Sequence, residues 1–244
     1  MIVFVHGVPE TAAIWRKVRA AIDQPSVALE LPGFGNPRPA DFGATKDDYL
    51  QWLLGELAEV DEPIDLVGHD WGAVLVLGLA AGHPGVVRSW AADVAGLLHP
   101  DYVWHDFAKI WQTPGDGEAF LEAQEAQSVE ERAGGFELIF GLDHDDAVEM
   151  AAGADATMGG CILDLYRSAV PNPHADWGPF AATREPGLVL QATEDPFGDE
   201  RLSGEVATTF GAQVAKIDGA GHFWPYDSPD KGAAVLESFW STLD

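Results

Sequence analysis

The chain alternates between short apolar runs and amphipathic segments over residues 1–94. The apolar runs cover residues 1–5, 27–31, 64–67 and 86–94. The first of them is β-branched and has no polar alternation, which predicts a strand buried on both faces. Apolar side chains at helical spacing separate them, as in the helix expected to begin after Thr45. This alternation predicts an α/β fold whose parallel sheet has helices on both faces.

The pattern changes to helices alone between residues 99 and 180. Five segments with helical periodicity cover residues 102–111, 118–127, 129–140, 145–154 and 157–168. Strands are expected again at residues 187–191 and 213–217, and helices at 202–210 and 231–243. A helical block between two strands is typical of a lid over a ligand site. The predicted organisation is a core formed by residues 1–98 and 181–244, with a helical lid formed by residues 99–180.

The sharpest predicted turn is the pentapeptide Gly68-His69-Asp70-Trp71-Gly72, which lies between an apolar strand and an apolar helix. Glycines two residues either side of the centre suit a strand-to-helix elbow, because a Cβ there would collide with backbone. The elbow places Asp70 where a nucleophile stands. A carboxylate is a poor acyl-transfer nucleophile, but it attacks a saturated, electrophilic carbon.

Two further polar groups follow later strands. Asp195 comes after the strand at residues 187–191, and His222 lies in a glycine-rich loop after the strand at 213–217. The carboxyl ends of parallel strands meet at one edge of a sheet. We therefore expect Asp70, Asp195 and His222 to converge as nucleophile, acid and histidine. Asp93, at the end of the strand at residues 86–94, is an alternative acid.

Composition narrows the range of partners and compartments. Forty acidic against thirteen basic residues give a net charge of -27, which disfavours nucleic acid and anionic membrane surfaces. The longest apolar stretch, residues 73–81, is shorter than the roughly 20 residues that span a bilayer. The single cysteine, Cys161, allows no internal disulfide, and no signal peptide precedes the first strand, so we expect a cytoplasmic protein.

A metal site is not expected. The acidic run at residues 143–146 is the sequence feature that most resembles one. The start of a helix attracts acidic side chains without any metal, because the helix dipole is positive there. We therefore predict that this run begins a helix, and we expect no metal and no cofactor.

Several motifs together resemble the epoxide hydrolase and haloalkane dehalogenase branch of the α/β-hydrolase fold. They are the elbow at 68–72, His6-Gly7-Val8-Pro9, Leu31-Pro32-Gly33-Phe34-Gly35, and Gly221-His222-Phe223 followed by Asp227-Ser228-Pro229. The resemblance covers nearly all of the core and only parts of the lid. It implies that Asp70 forms an alkyl ester with the substrate and that His222 activates water to hydrolyse the ester. It also implies an oxyanion hole formed by the N–H groups of Val8 and Trp71.

The resemblance bears on the choice between the two acids. Asp195 follows the next-to-last strand, which is the usual place. Relatives that use the earlier strand carry their acid at the position of Val94, one residue beyond Asp93. Because a shift of one residue along a strand reverses the face, we prefer Asp195.

The expected lid residues bear on the leaving group. Tyr166 resembles the lid tyrosine that protonates the oxygen of an opening epoxide. Phe107 stands at the family's first lid tyrosine and donates nothing, so Tyr166 would act alone or with His105, Tyr102 or Trp111. Apolar substrate would contact an aromatic set consisting of Phe34, Trp71, Trp104, Phe107 and Trp111.

The expected function is therefore hydrolysis of a small apolar epoxide to a vicinal diol without a cofactor. One alternative is a haloalkane dehalogenase that uses the same alkylation of Asp70, although Val8 stands where many dehalogenases have a halide-binding asparagine. Another is a non-catalytic ligand-binding protein with the hydrolase fold. The chain begins on the strand before His6, without the family's usual first two strands. We therefore expect a shortened sheet, whose exposed edge a homodimer would cover.

Overall fold

The computed structural model describes residues 1–243 and contains a six-stranded, wholly parallel sheet. In chain order the strands are Ile2–Val5 (β1), Ser26–Leu29 (β2), Asp65–Gly68 (β3), Ser89–Ala92 (β4), Gly187–Ala192 (β5) and Gln213–Ile217 (β6). Their spatial order is β2-β1-β3-β4-β5-β6. All six predicted strands are present. β4 is shorter than predicted because residues 84–87 form the turn that precedes it.

Helices occupy most of the remaining chain. They are Arg16–Ala21 (α1), Lys46–Ala58 (α2), Trp71–Gly82 (α3), Asp106–Gln112 (α4), Asp116–Glu125 (α5), Val129–Phe140 (α6), His144–Gly153 (α7), Ala156–Arg167 (α8), His174–Trp177 (α9), Glu200–Phe210 (α10), Trp224–Asp227 (α11) and Pro229–Trp240 (α12). Helices α4 to α9 lie between β4 and β5, where the sequence predicts helices alone. The assignment of residues 99–180 as a separate lid domain stays a prediction.

Helix α4 begins later than the sequence predicts. His105 is its N-cap residue, and the Nδ1 atom of His105 accepts a hydrogen bond from the Ala108 N–H at 3.2 Å. Histidine is not among the usual N-cap residues, so the sequence gives no signal for this start. The predicted helix over residues 102–111 is therefore wrong in its first turn.

The central strands β1, β3 and β4 are buried on both faces, as the sequence predicts for β1. Alternate side chains of β1 enter two different hydrophobic clusters. Val3 and Val5 pack in one cluster, whereas Ile2 and Phe4 pack in the other. Helix α3 is almost wholly buried behind β3, and this burial accounts for its apolar sequence.

Asp70 lies at the elbow between β3 and α3 in a backbone conformation that non-glycine residues rarely adopt. Its φ is 50° and its ψ is -120°. The two flanking glycines permit this turn. A Cβ on Gly68 would lie 2.5 Å from the Gly72 carbonyl oxygen, and one on Gly72 would lie 2.6 Å from the His6 carbonyl oxygen. The spacing of the glycines thus follows from the close approach of three backbone segments.

Other expectations from the sequence have mixed outcomes. Residues 1–243 contain six strands with β2 at one edge, which agrees with the expected shortened sheet, whereas the homodimer stays a prediction. The acidic run begins helix α7, and its Asp146 pairs with Lys17 at 2.5 Å. Cys161 is buried. No helix in the described part of the chain has both the length and the apolar character needed to cross a membrane.

The elbow glycines provide a stability test. We expect Gly72→Ala to lower the free energy of unfolding by about 3 kcal/mol or more, because the added Cβ meets rigid backbone. Gly55→Ala is the matched control, since a Cβ on Gly55 in helix α2 meets no atom within 4 Å. The control should raise stability by about 0.5–1 kcal/mol. Urea unfolding measures both changes, and a loss below about 1 kcal/mol for Gly72→Ala would contradict the packing described above.

Candidate active site

Asp70 is fixed at the elbow by hydrogen bonds to two other loops. Its Oδ1 atom accepts the Val8 N–H at 2.8 Å, and its own backbone N–H donates to Asp93 Oδ1 at 2.9 Å. Its second oxygen, Oδ2, lies 3.9 Å from His222 Nε2. One carboxylate oxygen is therefore held by backbone, while the other faces the histidine.

His222 is oriented by Asp195. The Nδ1 atom of His222 lies 3.0 Å from Asp195 Oδ2, and Asp195 Oδ1 accepts the Phe197 N–H at 2.8 Å. The three side chains that the sequence places after different strands thus meet in the predicted order. Asp93, the alternative acid, instead contacts His69 and accepts the indole N–H of Trp224 at 2.7 Å.

For each of these three groups, burial and the neighbouring charges shift the pKa in opposite directions. Burial raises the pKa of Asp70 to about 6, although the nearby His222 opposes the shift. Burial disfavours the charged form of His222, but its pair with Asp195 outweighs burial and leaves the His222 pKa above its ordinary value. Burial also disfavours ionised Asp195, yet the same pair holds the Asp195 pKa below its ordinary value. The Asp70 carboxylate therefore faces a histidine that holds its proton more tightly than usual.

The predicted oxyanion donors differ in their contacts. The Val8 N–H is already directed at the Asp70 carboxylate, as the resemblance implies. The Trp71 backbone N–H, at the start of α3, makes no hydrogen bond to that carboxylate within the described residues.

A cavity of about 200 Å³ lies over Asp70 and His222. Helices α4, α5, α6 and α8 supply most of its lining, and the side chains are mainly aromatic and aliphatic. Three of the residues predicted to face substrate line it, namely Phe107, Trp111 and Tyr166. His105 and Phe197 also line it.

Three predicted substrate contacts are wrong, because Phe34, Trp71 and Trp104 do not line this cavity. Phe34 is fully buried, with its ring 5.7 Å from that of His6 and 6.1 Å from that of Tyr49. Trp71 and Trp104 stack on each other at 5.9 Å, and each lies 5.3 Å from the Tyr166 ring. Large apolar side chains beside an active site are readily taken into the core, where burial stabilises them most. The tryptophans support Tyr166 from behind.

The cavity wall opposite Asp70 carries hydrogen-bond donors. Tyr166 lines the cavity, and both burial and the charge of Asp70 raise the pKa of its hydroxyl. Burial lowers the pKa of His105 to about 4, with the charge of His222 adding to the effect. His105 is therefore neutral, and because its Nδ1 accepts the Ala108 N–H, its proton lies on Nε2. Tyr102, another suggested partner of Tyr166, does not line the cavity.

A second buried group of charges lies behind the nucleophile and is missed by the sequence reasoning. His69 Nε2 lies 3.0 Å from Glu10 Oε1, and His69 Nδ1 lies 2.5 Å from Asp93 Oδ2. Burial alone would lower the His69 pKa, but these two carboxylates raise it well above its ordinary value. Glu10 follows the His6–Pro9 motif and His69 precedes the nucleophile, so position within the motifs is the signal that could have identified them.

Glu10, His69 and His222 also have the spacing of a potential metal site, since one donor atom from each lies within 4.8 Å of the others. Each of the two histidines also pairs with carboxylates of the protein. His69 lies between two carboxylates, and His222 Nδ1 pairs with Asp195. The close approach of these groups is therefore that of a network of ion pairs.

Comparisons with known proteins agree with this architecture. Residues 2–235 match the model of the alpha/beta hydrolase family. The chain is 28% identical over 188 residues to a haloalkane dehalogenase of Mesorhizobium japonicum, a match that spans 71% of this chain and 54% of that protein. It is also 28% identical over 142 residues to a haloalkane dehalogenase of Bradyrhizobium diazoefficiens, spanning 50% of this chain and 45% of that protein. The chain thus spans about half the length of these two relatives.

Solved structures give the same fold. One described among novel epoxide hydrolases from metagenomes of hot environments superimposes with a TM-score of 0.75 at 18% identity, covering 98% of this chain and 90% of that one. At this identity the likeness concerns the fold alone. The α/β-hydrolase fold predicted from the motifs is confirmed.

The raised pKa of Asp70 predicts how stability depends on pH. The unfolded chain has an ordinary aspartate pKa of about 4, so the native state binds this proton more tightly and stability is lost as pH rises from about 4 to 6. Asp70→Asn removes that loss. We expect its free energy of unfolding, relative to that of the unsubstituted protein, to rise by about 3 kcal/mol between pH 4 and pH 8. Urea unfolding at both pH values measures the change.

The control for that measurement is Asp61→Asn, which removes an exposed aspartate that lies outside the elbow. It should show little change between the two pH values. An Asp70→Asn difference that stays constant with pH would mean that Asp70 is not the buried, destabilising carboxylate described here.

Proposed function

The chain belongs to the alpha/beta hydrolase family, and on this basis we propose that it opens a small apolar epoxide to a vicinal diol through an ester on Asp70. The observation that carries the proposal is the arrangement of groups around one cavity. The nucleophile, its histidine and the acid lie at one end. Hydrogen-bond donors without a competing carboxylate partner lie on the aromatic wall, where an oxygen leaving group would be protonated.

The first step is attack by Asp70 on one carbon of the epoxide ring. Oδ1 is held by the Val8 N–H, so Oδ2 is the oxygen that forms the new C–O bond. The ring C–O bond breaks at the same time, and the ring oxygen becomes an alkoxide unless it is protonated. Because burial keeps the Tyr166 hydroxyl neutral, Tyr166 can give its proton to this oxygen.

His105 is the second donor in this proposal. Its ring lies 6.3 Å from that of Tyr166 and 6.3 Å from that of Trp111, so all three donors flank the same part of the cavity. The neutral Nε2–H of His105 would donate a hydrogen bond to the alkoxide without itself ionising. His105 thus takes the supporting role that Phe107 cannot fill.

In the second step, water attacks the ester carbonyl and His222 Nε2 accepts the proton of that water. Formation of the ester removes the negative charge of Asp70, which is one of the interactions that raise the His222 pKa. His222 therefore gives up its own proton more readily once the first step is complete, and its neutral ring can then accept a proton from water. The Val8 N–H stabilises the developing oxyanion, a donor of a kind worth about 3 kcal/mol. Breakage of the acyl C–O bond releases the diol, whose new alkoxide oxygen takes the proton held by His222. The proton of the new carboxyl group returns through solvent to the Tyr166 phenolate, which restores both Asp70 and Tyr166.

Dehalogenation is the second candidate, and a specific observation favours it. The indole N–H of Trp111 is buried, and it makes no hydrogen bond within the described part of the structure. The Trp111 ring lines the cavity and lies 4.8 Å from the Tyr166 ring. A buried N–H without an acceptor would stabilise a departing halide, and both curated relatives described above are haloalkane dehalogenases.

A substrate panel separates the two candidates. The protein is incubated with terminal and aryl epoxides and with chloro- and bromoalkanes of matched size, while diol is quantified by chromatography and halide by ion chromatography. Asp70→Asn is the control for uncatalysed reaction. Diol formation that depends on Asp70 supports the proposal, whereas halide release alone overturns it in favour of dehalogenation. No turnover of either class would contradict both.

The donors give a mutational prediction. We expect Tyr166→Phe to slow ester formation from an epoxide by about 10²-fold or more, because the leaving oxygen loses its proton source. His105→Asn should slow it about 10-fold, since asparagine still caps α4 but lacks the Nε2–H in the cavity. Stopped-flow fluorescence of the active-site tryptophans measures ester formation. The control Phe107→Tyr adds a hydroxyl to the cavity wall and should not slow the reaction.

A further inference from the structure

The group formed by Glu10, His69 and Asp93 has no part in the two proposed steps, although it lies directly behind the nucleophile. The side chains of all three residues are nearly or fully buried, with exposed fractions of 0%, 1% and 4%. Each is also tied to the active-site backbone. Glu10 Oε2 accepts the Gly7 N–H at 2.8 Å, and Asp93 Oδ1 accepts the Asp70 N–H at 2.9 Å.

We propose that His69 is a positioning residue, held as a cation between Glu10 and Asp93, whose charge favours the ionised form of the Asp70 nucleophile and the neutral, proton-accepting form of His222. This proposal rests on the proposed function in that it assigns those roles to Asp70 and His222. The charge state of His69 itself does not depend on any substrate.

The contacts of His69 favour a proton on each ring nitrogen. Nδ1 lies 2.5 Å from Asp93 Oδ2, and Nε2 lies 3.0 Å from Glu10 Oε1. A neutral imidazole has one N–H and one lone pair, so one carboxylate would face a lone pair at contact distance. Two buried carboxylates also need a positive charge, because unpaired buried charges are strongly disfavoured. An imidazolium meets both requirements, with a hydrogen bond to Asp93 and a charge contact to Glu10 that lacks hydrogen-bond geometry.

The charge of His69 reaches both reacting groups. Its ring centroid is 4.9 Å from that of His222. It is linked to Asp70 through Asp93, which contacts both the His69 ring and the Asp70 N–H. A positive charge at this place favours ionised Asp70 and disfavours protonated His222. It thus opposes burial, which raises the Asp70 pKa, and it opposes Asp195, which raises the His222 pKa.

Several other titratable groups surround His69 and enter any account of pH dependence. They come from the loops after β1, β3, β4, β5 and β6, and they are His6, Glu10, Asp70, Asp93, Asp195 and His222. Four of these are carboxylates. His6 is neutral, because its Nε2 accepts the Leu31 N–H, so without a charged His69 only His222 would be available as a cation among them.

The first test needs neither a substrate nor a variant that must be active. Uniformly ¹⁵N-labelled protein is titrated from pH 5 to pH 9 and its imidazole resonances are recorded, with His69 assigned from the spectrum of His69→Gln. The expected result is a His69 ring that keeps both N–H protons through pH 8. A His69 ring that is neutral between pH 6 and pH 8 overturns the proposal.

The second test uses a pair of variants with opposite effects on local charge. His69→Gln removes the positive charge, and we expect the midpoint for His222 titration to rise by about one pH unit. Adding Glu10→Gln removes the carboxylate left without its partner, so the midpoint should move back towards that of the unsubstituted protein. If His69 only supports packing, neither substitution moves the His222 midpoint, and that result overturns the proposal.

The same variants report on catalysis once a substrate has been found. We expect the acid limb of the kcat/KM profile to move up by about one pH unit in His69→Gln and to move back in the double variant, because Asp70 must be ionised to attack. A uniform loss at all pH values indicates a merely structural role and overturns the proposal. Failure of the proposed function is seen separately, as an absence of Asp70-dependent turnover in a protein whose His69 is still doubly protonated.

Discussion

The burial of the Asp70 carboxylate at a strained elbow is the constraint around which this structure is arranged. The elbow requires a positive φ at Asp70 and glycine on both sides of it. It also brings a negative charge to a place where only 8% of the residue is exposed. Two backbone hydrogen bonds, one accepted from Val8 and one donated to Asp93, fix the residue. A buried charge held in this way is costly for stability and is preorganised for attack.

The surrounding charges follow from that constraint. Asp195 and His222 face the carboxylate from the cavity side, while His69 stands behind it between Glu10 and Asp93. Each histidine thus lies between carboxylates. In our account the two cations have different tasks, because His222 must lose its proton during the reaction and His69 must keep it. Because the two rings lie 4.9 Å apart, a proton kept on His69 makes it easier for His222 to lose its own.

The sequence was most informative where backbone geometry dictates residue type. The elbow glycines, the buried parallel strands and the order of Asp70, Asp195 and His222 all reflect such geometry, and the structure contains each of them. The one-residue offset of Asp93 also proved decisive, because that side chain contacts His69 and not His222.

The sequence was least informative where packing decides the role of a side chain. Large aromatic residues are expected in a pocket wall, but three of them, Phe34, Trp71 and Trp104, are packed outside the cavity lining. His105 caps α4 through one ring nitrogen and lines the cavity, which no periodicity indicates. The pairing of Glu10 with His69 joins positions distant in the chain, so only the folded structure brings it into view.

The most direct test of the central claim is intact-mass analysis of His222→Gln after exposure to an epoxide library and a haloalkane library. Loss of the base should stop the reaction at the ester. The account predicts an adduct with the full mass of an epoxide, located by peptide mapping on Asp70 and absent from the double variant Asp70→Asn, His222→Gln. An adduct with the mass of the alkyl group alone would identify a haloalkane substrate. No adduct on Asp70 from either library would contradict Asp70 as the nucleophile.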